Sequence, residues 1–357
     1  MDSIVRALDV GYGNVKFVKK HSSMAVRPIC DKFASRAVIS NEVDISGGFM
    51  SRRRTVHVEV DGTSYEVGYD VALAQGTYDE TTNLDKDFCK TPPYMARVLG
   101  ALNYMYDDLG DRKEIDLLVC GLPVSTYMLY REDMQALLTK TFNLPGGKTI
   151  KVNRVSVIPQ PLGAYFNYVY PDTITSASTA ASDQFKKQNN LVIDPGFFTF
   201  DWLVSKGMMP NTNRSGSAFR GMSAVIRAMA ESISAKEKVD INGVFKILDD
   251  ALREGTAPRI FGKEIDLSLY KDRANGVVNE AVGNLLNSVG DGADIDNIMV
   301  AGGGTPFFID IIRDRFPRHN VLTSDEPVFA NVMGFQKAGI RQMMKAAKPQ
   351  NQNRSLV

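Results

Sequence analysis

Residues 190–204 read NLVIDPGFFTFDWLV. An apolar run delivers Asp194, the chain turns at Pro195-Gly196, and it leaves through Thr199 and Asp201 into a second apolar run. Apolar segments flanking turn residues read as two strands of a hairpin. The turn is either an ordinary hairpin with acidic ends, each aspartate capping its own backbone, or a loop shaped to hold a ligand. The start of the chain bears on the choice. There LDVGYGNVKF, residues 8–17, aligns with IDPGFFTFDW, residues 193–202. Two half-chains that open on the same Asp-x-Gly device imply two related α/β domains facing each other.

Between and after these hairpins the pattern is also α/β. TVHVEV-DG-TSYEV, residues 55–67, is a second hairpin, with Asp61-Gly62 as its two-residue loop. Helical spacing covers about 92–105 and 125–141, and IDLLVCGLP between them is a short buried strand. KVNRVSVIP is another strand, followed at once by a helix from Gln160-Pro161. Residues 171–190, rich in Ser, Thr and Ala, read as a linker or exposed loop. Beyond Asp201 we expect a strand near GMMP and helices near 217–234, 240–253 and 268–289. IDNIMVAGGG then runs into a glycine turn, with a helix from about Pro306 and a last one over 328–345. The polar tail PQNQNRSLV is expected to fray.

The bulk properties narrow the function. At 357 residues the chain has room for two domains, and 44% hydrophobic with 23% charged residues suits a packed core. A net charge of +1 offers no global attraction for nucleic acid or membrane surfaces. The triplet Arg52-Arg53-Arg54 reads as a solvated loop rather than a phosphate contact. Cys30, Cys89 and Cys120 are odd in number and lack CxxC spacing, which fits a reducing cytoplasm rather than a disulfide framework or a zinc site. Neither a signal peptide nor a transmembrane run is legible. With His21, His57 and His319 isolated, a histidine triad or metal site is disfavoured.

Glycine turns let backbone amides approach an anion closely. LDVGYGNVKF supplies Gly11, Gly13 and Asn14, with Lys16 just beyond; IDPGFFTFDW supplies Gly196 and the Thr199 hydroxyl. AGGGTPFF places Gly302, Gly303 and Gly304 where a strand meets a helix, a position whose dipole favours phosphate. Aspartates repel phosphates, so Asp9 and Asp194 beside such turns make sense with a cation between them. Magnesium, which keeps several waters and takes one or two carboxylates, fits.

The Asp194, Gly196, Thr199, Asp201 pattern resembles the second phosphate motif of the actin and sugar-kinase ATPase superfamily, and LDVGYGNVKF resembles its first. IMVAGGGTPFF is similar to its adenosine motif. VIPQPLGAYFNY, with Gln160, Pro161, Gly163 and Ala164, and FANVMGFQKAG, with Asn331 and Gly334, resemble its two connecting helices. A Walker loop is absent. The Asp-x-Gly-x-Gly-Asn-x-Lys opening looks most like the bacterial plasmid-segregation actins of the ParM/StbA type. The chain departs from that pattern at Phe197, where a second glycine is common, and at Gln160, where glutamate is common.

The resemblance implies a two-domain actin-like ATPase fold, duplicated RNase H-like domains around a nucleotide cleft. Residues 1–178 would form domain I and 179–334 domain II, with a terminal helix over 335–357 packing back onto domain I. It implies ATP/ADP and Mg2+ bound through Asp9, Gly11, Tyr12, Gly13, Asn14, Lys16, Gly196, Phe197, Thr199, Gly302, Gly303, Gly304 and Thr305. Lys16 would neutralise developing phosphate charge, Gln160 would orient the attacking water, and Asp194 would accept its proton. Asp9 and Asp194 would hold hydrated magnesium. Asp201 would share the polar cleft with Thr199 or tie down its hairpin, Thr305 would reach the ribose or cap its helix, and Arg214, Ser215 and Ser217 would enter the cleft. Trp202 reads as core. The implied function is ATP-dependent polymerisation into filaments that separate plasmid copies. Its partners would be the protein itself and a DNA-binding adaptor, with no direct contact to nucleic acid or membrane. The competing readings are a sugar or acetate kinase, for which no substrate-binding insertion is visible, and a non-hydrolysing scaffold, whose usual terminal amphipathic helix the polar tail does not match.

Overall fold

The segment Val5–Val10, VRALDV, is buried along its whole length and forms β1, the central strand of a five-stranded sheet. Its neighbours are β2 (Asn14–Lys20) and β3 (Ile29–Ala34) on one side, both antiparallel steps, and β4 (Leu117–Leu122) and β5 (Val155–Pro159) on the other, both parallel. The spatial order is β5-β4-β1-β2-β3. The computed structural model describes residues 3–21, 26–40, 51–76 and 86–347.

The same construction recurs around the stretch at 190–204. β6 (Asn189–Pro195) is central, β7 (Phe200–Lys206) and β8 (Met209–Ala218) pair antiparallel on one side, and β9 (Asn297–Val300) and β10 (Val321–Thr323) pair parallel on the other. The order β8-β7-β6-β9-β10 repeats that of the first sheet. Parallel strands covered on both faces need continuous apolar runs rather than alternation, which is why LLVCGL and NIMV carry no period-two pattern.

Helices α1 (Pro92–Met105), α2 (Val124–Leu138) and α3 (Gln160–Val169) belong with the first sheet, and α5 (Met222–Glu237), α6 (Ile241–Glu254), α7 (Lys271–Val289) and α8 (Thr305–Arg315) with the second. Between them, α4 (Ser176–Phe185) occupies the stretch expected to be a linker or loop. The segment is exposed, yet helical. Thr175 and Ser178 form a reciprocal cap, alanines favour the helix, and Phe185 with Ser182 anchors it to Tyr165, Tyr168 and the Val169 carbonyl. A second difference concerns β8, which extends to Ala218 as a polar edge strand, so α5 begins at Met222, later than the apolar spacing suggests.

The DG hairpin forms as Thr55–Val60 and Thr63–Gly68, with Asp61 and Gly62 both at positive φ. Arg53 and Arg54 are not a free basic patch. Arg53 chelates Glu66 at 2.7 and 3.0 Å, and Arg54 pairs with Asp70. Residues 47–50 and the tail from residue 348 lie outside the described residues.

The last helix, α9 (Ala330–Ala347), lies against α3 and the first sheet, with Val332 and Phe335 buried among Val5, Ala7, Val18, Leu117 and Val119. The two helices touch through backbone. A Cβ at position 334 would overlap the carbonyl oxygen of Gly163, and one at 163 would overlap the Asn331 carbonyl. No rotamer change can relieve a clash with main chain, so Gly334→Ala should destabilise the protein by about 2 kcal/mol or more. Urea denaturation with an unchanged slope and a lower midpoint is the expected result. An unchanged midpoint would mean that α3 and α9 have room to part.

Candidate functional site

Both hairpin loops have the same closure. The Gly11 amide donates to the Asn14 carbonyl at 3.1 Å, and the Gly196 amide to the Thr199 carbonyl at 2.8 Å. Each loop has four residues, set by the pairs Val10–Val15 and Pro195–Phe200. The loops therefore present their amides at the ends of the two central strands, and the strands carry their aspartates to the same depth beneath them.

These ends meet at a cavity of about 210 Å3 between the two halves. Of the residues expected in a site, Gly11, Tyr12, Gly13, Asn14, Lys16, Gln160, Asp194, Gly196, Phe197, Gly303 and Gly304 line it. Asp9 lies wholly buried behind this wall and acts on it through Lys16 (Nζ to Oδ2, 2.9 Å) and Gln160 (Nε2 to Oδ1, 2.7 Å). Met222, Ile226, Leu252, Phe307 and Val328 add an apolar end. A larger groove of about 570 Å3, between α5 and α7, gathers none of the expected residues.

Asp194 is removed from water, and this burial, opposed by Lys16 and reinforced by Asp201, raises its pKa to about 7. Its Oδ2 accepts from Asn331 Nδ2 at 2.6 Å at the start of α9. Gly302 flanks it at φ +111, where a side chain would be strained and would overlap Asp194 Oδ1. Lys16 has the reverse balance. Burial works against its charge, but Asp9 and Asp194 outweigh that and leave the ammonium more firmly protonated than usual.

Other expected residues sit elsewhere. Thr199, Gly302 and Thr305 are outside the cavity lining. Thr305 donates to the Gly302 carbonyl at 2.8 Å, closing the first turn of α8. Arg214 is turned away to Asp294, and Ser215 bonds the Val204 amide and the Asn211 carbonyl; both serve the edge strand β8. Trp202 is buried, its indole N–H on the Arg214 carbonyl.

Asp201 is hydrogen-bonded by Thr199, as one expectation had it, and has a further role besides. Its carboxylate accepts from the Val124 amide at 2.9 Å and from the Ser217 hydroxyl, while Ser217 accepts from the Ser125 amide at 3.0 Å. The second half thus caps the first turn of α2 in the first half, where the dipole welcomes an anion.

The two phenylalanines are also joints between the halves. Phe197 packs against both hydrophobic cores, fills the space a Cβ on Gly13 would need, and has the Arg253 guanidinium 4.9 Å from its ring centre. Phe198 lies 4.7 Å from Tyr12, which stacks on Phe88 at 4.5 Å, and 5.2 Å from Phe219. Across the mouth, α6 supplies Arg253, which donates to the Gly13 carbonyl and to Asn14 Oδ1, and Asp249, which pairs with Arg36 at 2.8 Å. Lys32, Asp249 and Arg253 carry no sequence motif. Only an Asp-x3-Arg spacing on an amphipathic helix and a lysine on an edge strand were there to be seen. Asn331 was visible within the second connecting-helix motif, but not as a contact to Asp194.

Residues 7–163 match the family described as actin like proteins N terminal domain, and residues 192–314 match that described as archaeal actin homologue MreB-like, C-terminal. No curated protein matches the chain by sequence. Among solved structures it is similar to a 15-stranded ParM filament from Clostridium botulinum (18% identity, 96% of this chain and 100% of that one, TM-score 0.73). An archaeal actin homologue in complex with ADP is also similar (20%, 95% and 99%, TM-score 0.65), as is Bacillus thuringiensis ParM with AMPPNP (12%, 96% and 100%, TM-score 0.64). At these identities the likeness is one of fold.

The raised pKa of Asp194 has a direct consequence. Between the usual carboxylate range and about pH 7 the folded protein holds a proton that the unfolded chain has released, so stability falls as pH rises through that window. In ligand-free protein this loss should approach 1.4 kcal/mol per pH unit, about the limit for one group. Urea midpoints at pH 5.5 and 8.0 should therefore converge in Asp194→Asn relative to the parent. Identical pH dependence in the two proteins would show Asp194 ionised throughout.

Proposed function

We propose, for a chain that belongs to the actin-like proteins, that it is a slow ATPase which assembles into filaments in an ATP-dependent way and uses them to segregate plasmid DNA. The observation that carries this reading is the convergence of both hairpin loops, Lys16, Gln160, Asp194 and Gly303-Gly304 on one cavity between duplicated halves. The division of the chain at residues 178 and 334 is part of the proposal, with α4 spanning the first junction and α9 returning to the first half. So are a cytoplasmic location and a DNA-binding adaptor; a net charge of +1 gives the chain no global attraction for DNA.

The residues present fit a nucleotide with magnesium. Asn331 keeps one buried amide oxygen without a partner beside Asp194, and the loop amides and Lys16 offer positive potential opposite the apolar end. ATP with Mg2+ would supply the phosphoanhydride bond and the charge that balances Asp194. Asp9 and Asp194 would hold the ion largely through water. Gln160 carries no useful basicity and serves to orient a water molecule. Asp194, poised near neutrality, takes the proton from that water, and Lys16 offsets the charge gathering on the phosphate side. With Asp9 engaged by Lys16 and Gln160, one carboxylate sets the orientation of both groups.

Right-angle light scattering with ATP, ADP and a non-hydrolysable analogue, followed by negative-stain microscopy, tests assembly. Scattering should rise with ATP and filaments should be visible; the absence of both overturns the reading. Asp194→Ala should lower phosphate release by about 100-fold or more while leaving assembly intact. Unchanged release would remove Asp194 from the chemistry.

A further inference from the structure

We propose that Arg36 is a positioning residue for the loop at Gly11–Asn14: through Asp249 and Arg253 of the other half it sets the direction in which the Gly13–Asn14 peptide faces the cavity. The inference rests on the preceding reading that the cavity takes a nucleotide, and it names a residue outside the cavity lining on which phosphate affinity depends.

Gly13 has no side chain by which it could be held, and the Phe197 ring fills the space that a Cβ would take. Its peptide is fixed through the carbonyl instead. That oxygen accepts from the Ser35 amide at 2.9 Å and, from the other half, from Arg253 Nη1, which also donates to Asn14 Oδ1 at 2.9 Å. The carbonyl and the following N–H of a trans peptide point in opposite directions. Holding the Gly13 carbonyl toward Ser35 and Arg253 therefore aims the Asn14 amide back over the loop, whose four residues line the cavity.

A long arginine side chain holds one direction only if its own partner is fixed. Asp249, one turn earlier on α6, receives Arg253 Nη2 on Oδ1 at 2.8 Å. Asp249 is fixed in turn from the first half, where Arg36 Nη2 donates to its Oδ2 at 2.8 Å and meets Asp250 at 2.6 Å. Arg36 is buried, and it follows Ser35 in the chain. The contacts thus close a ring, from the Gly13 carbonyl through Ser35, Arg36, Asp249 and Arg253 back to the same oxygen, which crosses between the halves twice. Asp249 and Arg253 line the cavity and Arg36 does not, so its effect on a ligand has to pass through them. Removing Arg36 leaves Asp249 paired with Arg253, and the partly exposed Asp250 within reach of water.

Calorimetric titration with ADP and Mg2+ of wild type, Arg36→Met, Arg253→Met and the double variant forms a cycle. Each single change should weaken ADP by about tenfold. The double change should weaken it no more than Arg253→Met alone, because both break one relay. Arg36→Lys should recover most of the loss, since a single nitrogen meets both carboxylates. Asp250→Asn, which leaves the path through Asp249 whole, should bind ADP like the parent. Urea midpoints measured alongside show that each variant is folded; if Arg36→Met is not, Arg36→Gln takes its place in the cycle. Unchanged ADP affinity without Arg36, losses that multiply in the double variant, no recovery with lysine, or an equal loss in Asp250→Asn overturns the assignment while leaving the nucleotide site standing. A wild-type protein that binds neither ADP nor ATP overturns both readings.

Discussion

At the floor of the cleft the Asp9 carboxylate is wholly removed from water, with Lys16 at 2.9 Å on one oxygen and Gln160 at 2.7 Å on the other. A buried charge of this kind is tolerated only when its partners are fixed, and losing one partner costs several kcal/mol. The arrangement constrains more than one side chain. β2 must return antiparallel after a four-residue loop so that Lys16 falls opposite Asp9, and α3 must begin directly at the end of β5 so that Gln160 reaches it. Loop length, strand register and helix start are set together by one anion.

The second half repeats the geometry but inverts the charge. Asp201 stands where Lys16 stands in the first half, opposite the second central aspartate, and both of its carboxylates are pushed toward protonation by burial. Asp201 finds its compensation in the hydroxyls of Ser217 and Thr199 and the amide of Val124. The broken symmetry therefore becomes an attachment between the halves. The Phe197-Phe198 pair works in the same direction, closing apolar contacts with Gly13 and Tyr12 across the cleft, where a glycine would have left a gap. Arg36 with Asp249 is the polar counterpart at the mouth. Contacts of these three kinds hold the loops in register with each other, which is what a ligand bridging them requires.

Much of this was legible because it is local. An aspartate at the end of an apolar run, a glycine loop and a following cation lie within ten residues of one another, and their chemistry follows from spacing. The duplication was legible from the same stretches, and the two sheets have the same strand order. The exposed segment at 176–185 has the composition of a loop, whereas its Thr175 cap and the anchor at Phe185 make it a helix. The family resemblance places Arg214 and Ser215 in the cleft, yet the bulge between Trp202 and Val204 and the edge position of β8 send them to Asp294 and the Val204 amide.

The sequence by itself determined the α/β halves, the paired Asp-x-Gly loops and the identity of the groups at their tips, because those depend on residues near one another in the chain. Which groups face each other was decided only by the tertiary structure. Asn331 meets Asp194 across 137 positions, Gln160 meets Asp9 across 151, and Arg253 meets the Gly13 loop across 240. No periodicity encodes such distances. They arise when α9 packs on α3 through bare backbone and α6 folds over the mouth of the cleft, so burial and close packing, not motif, chose the partners.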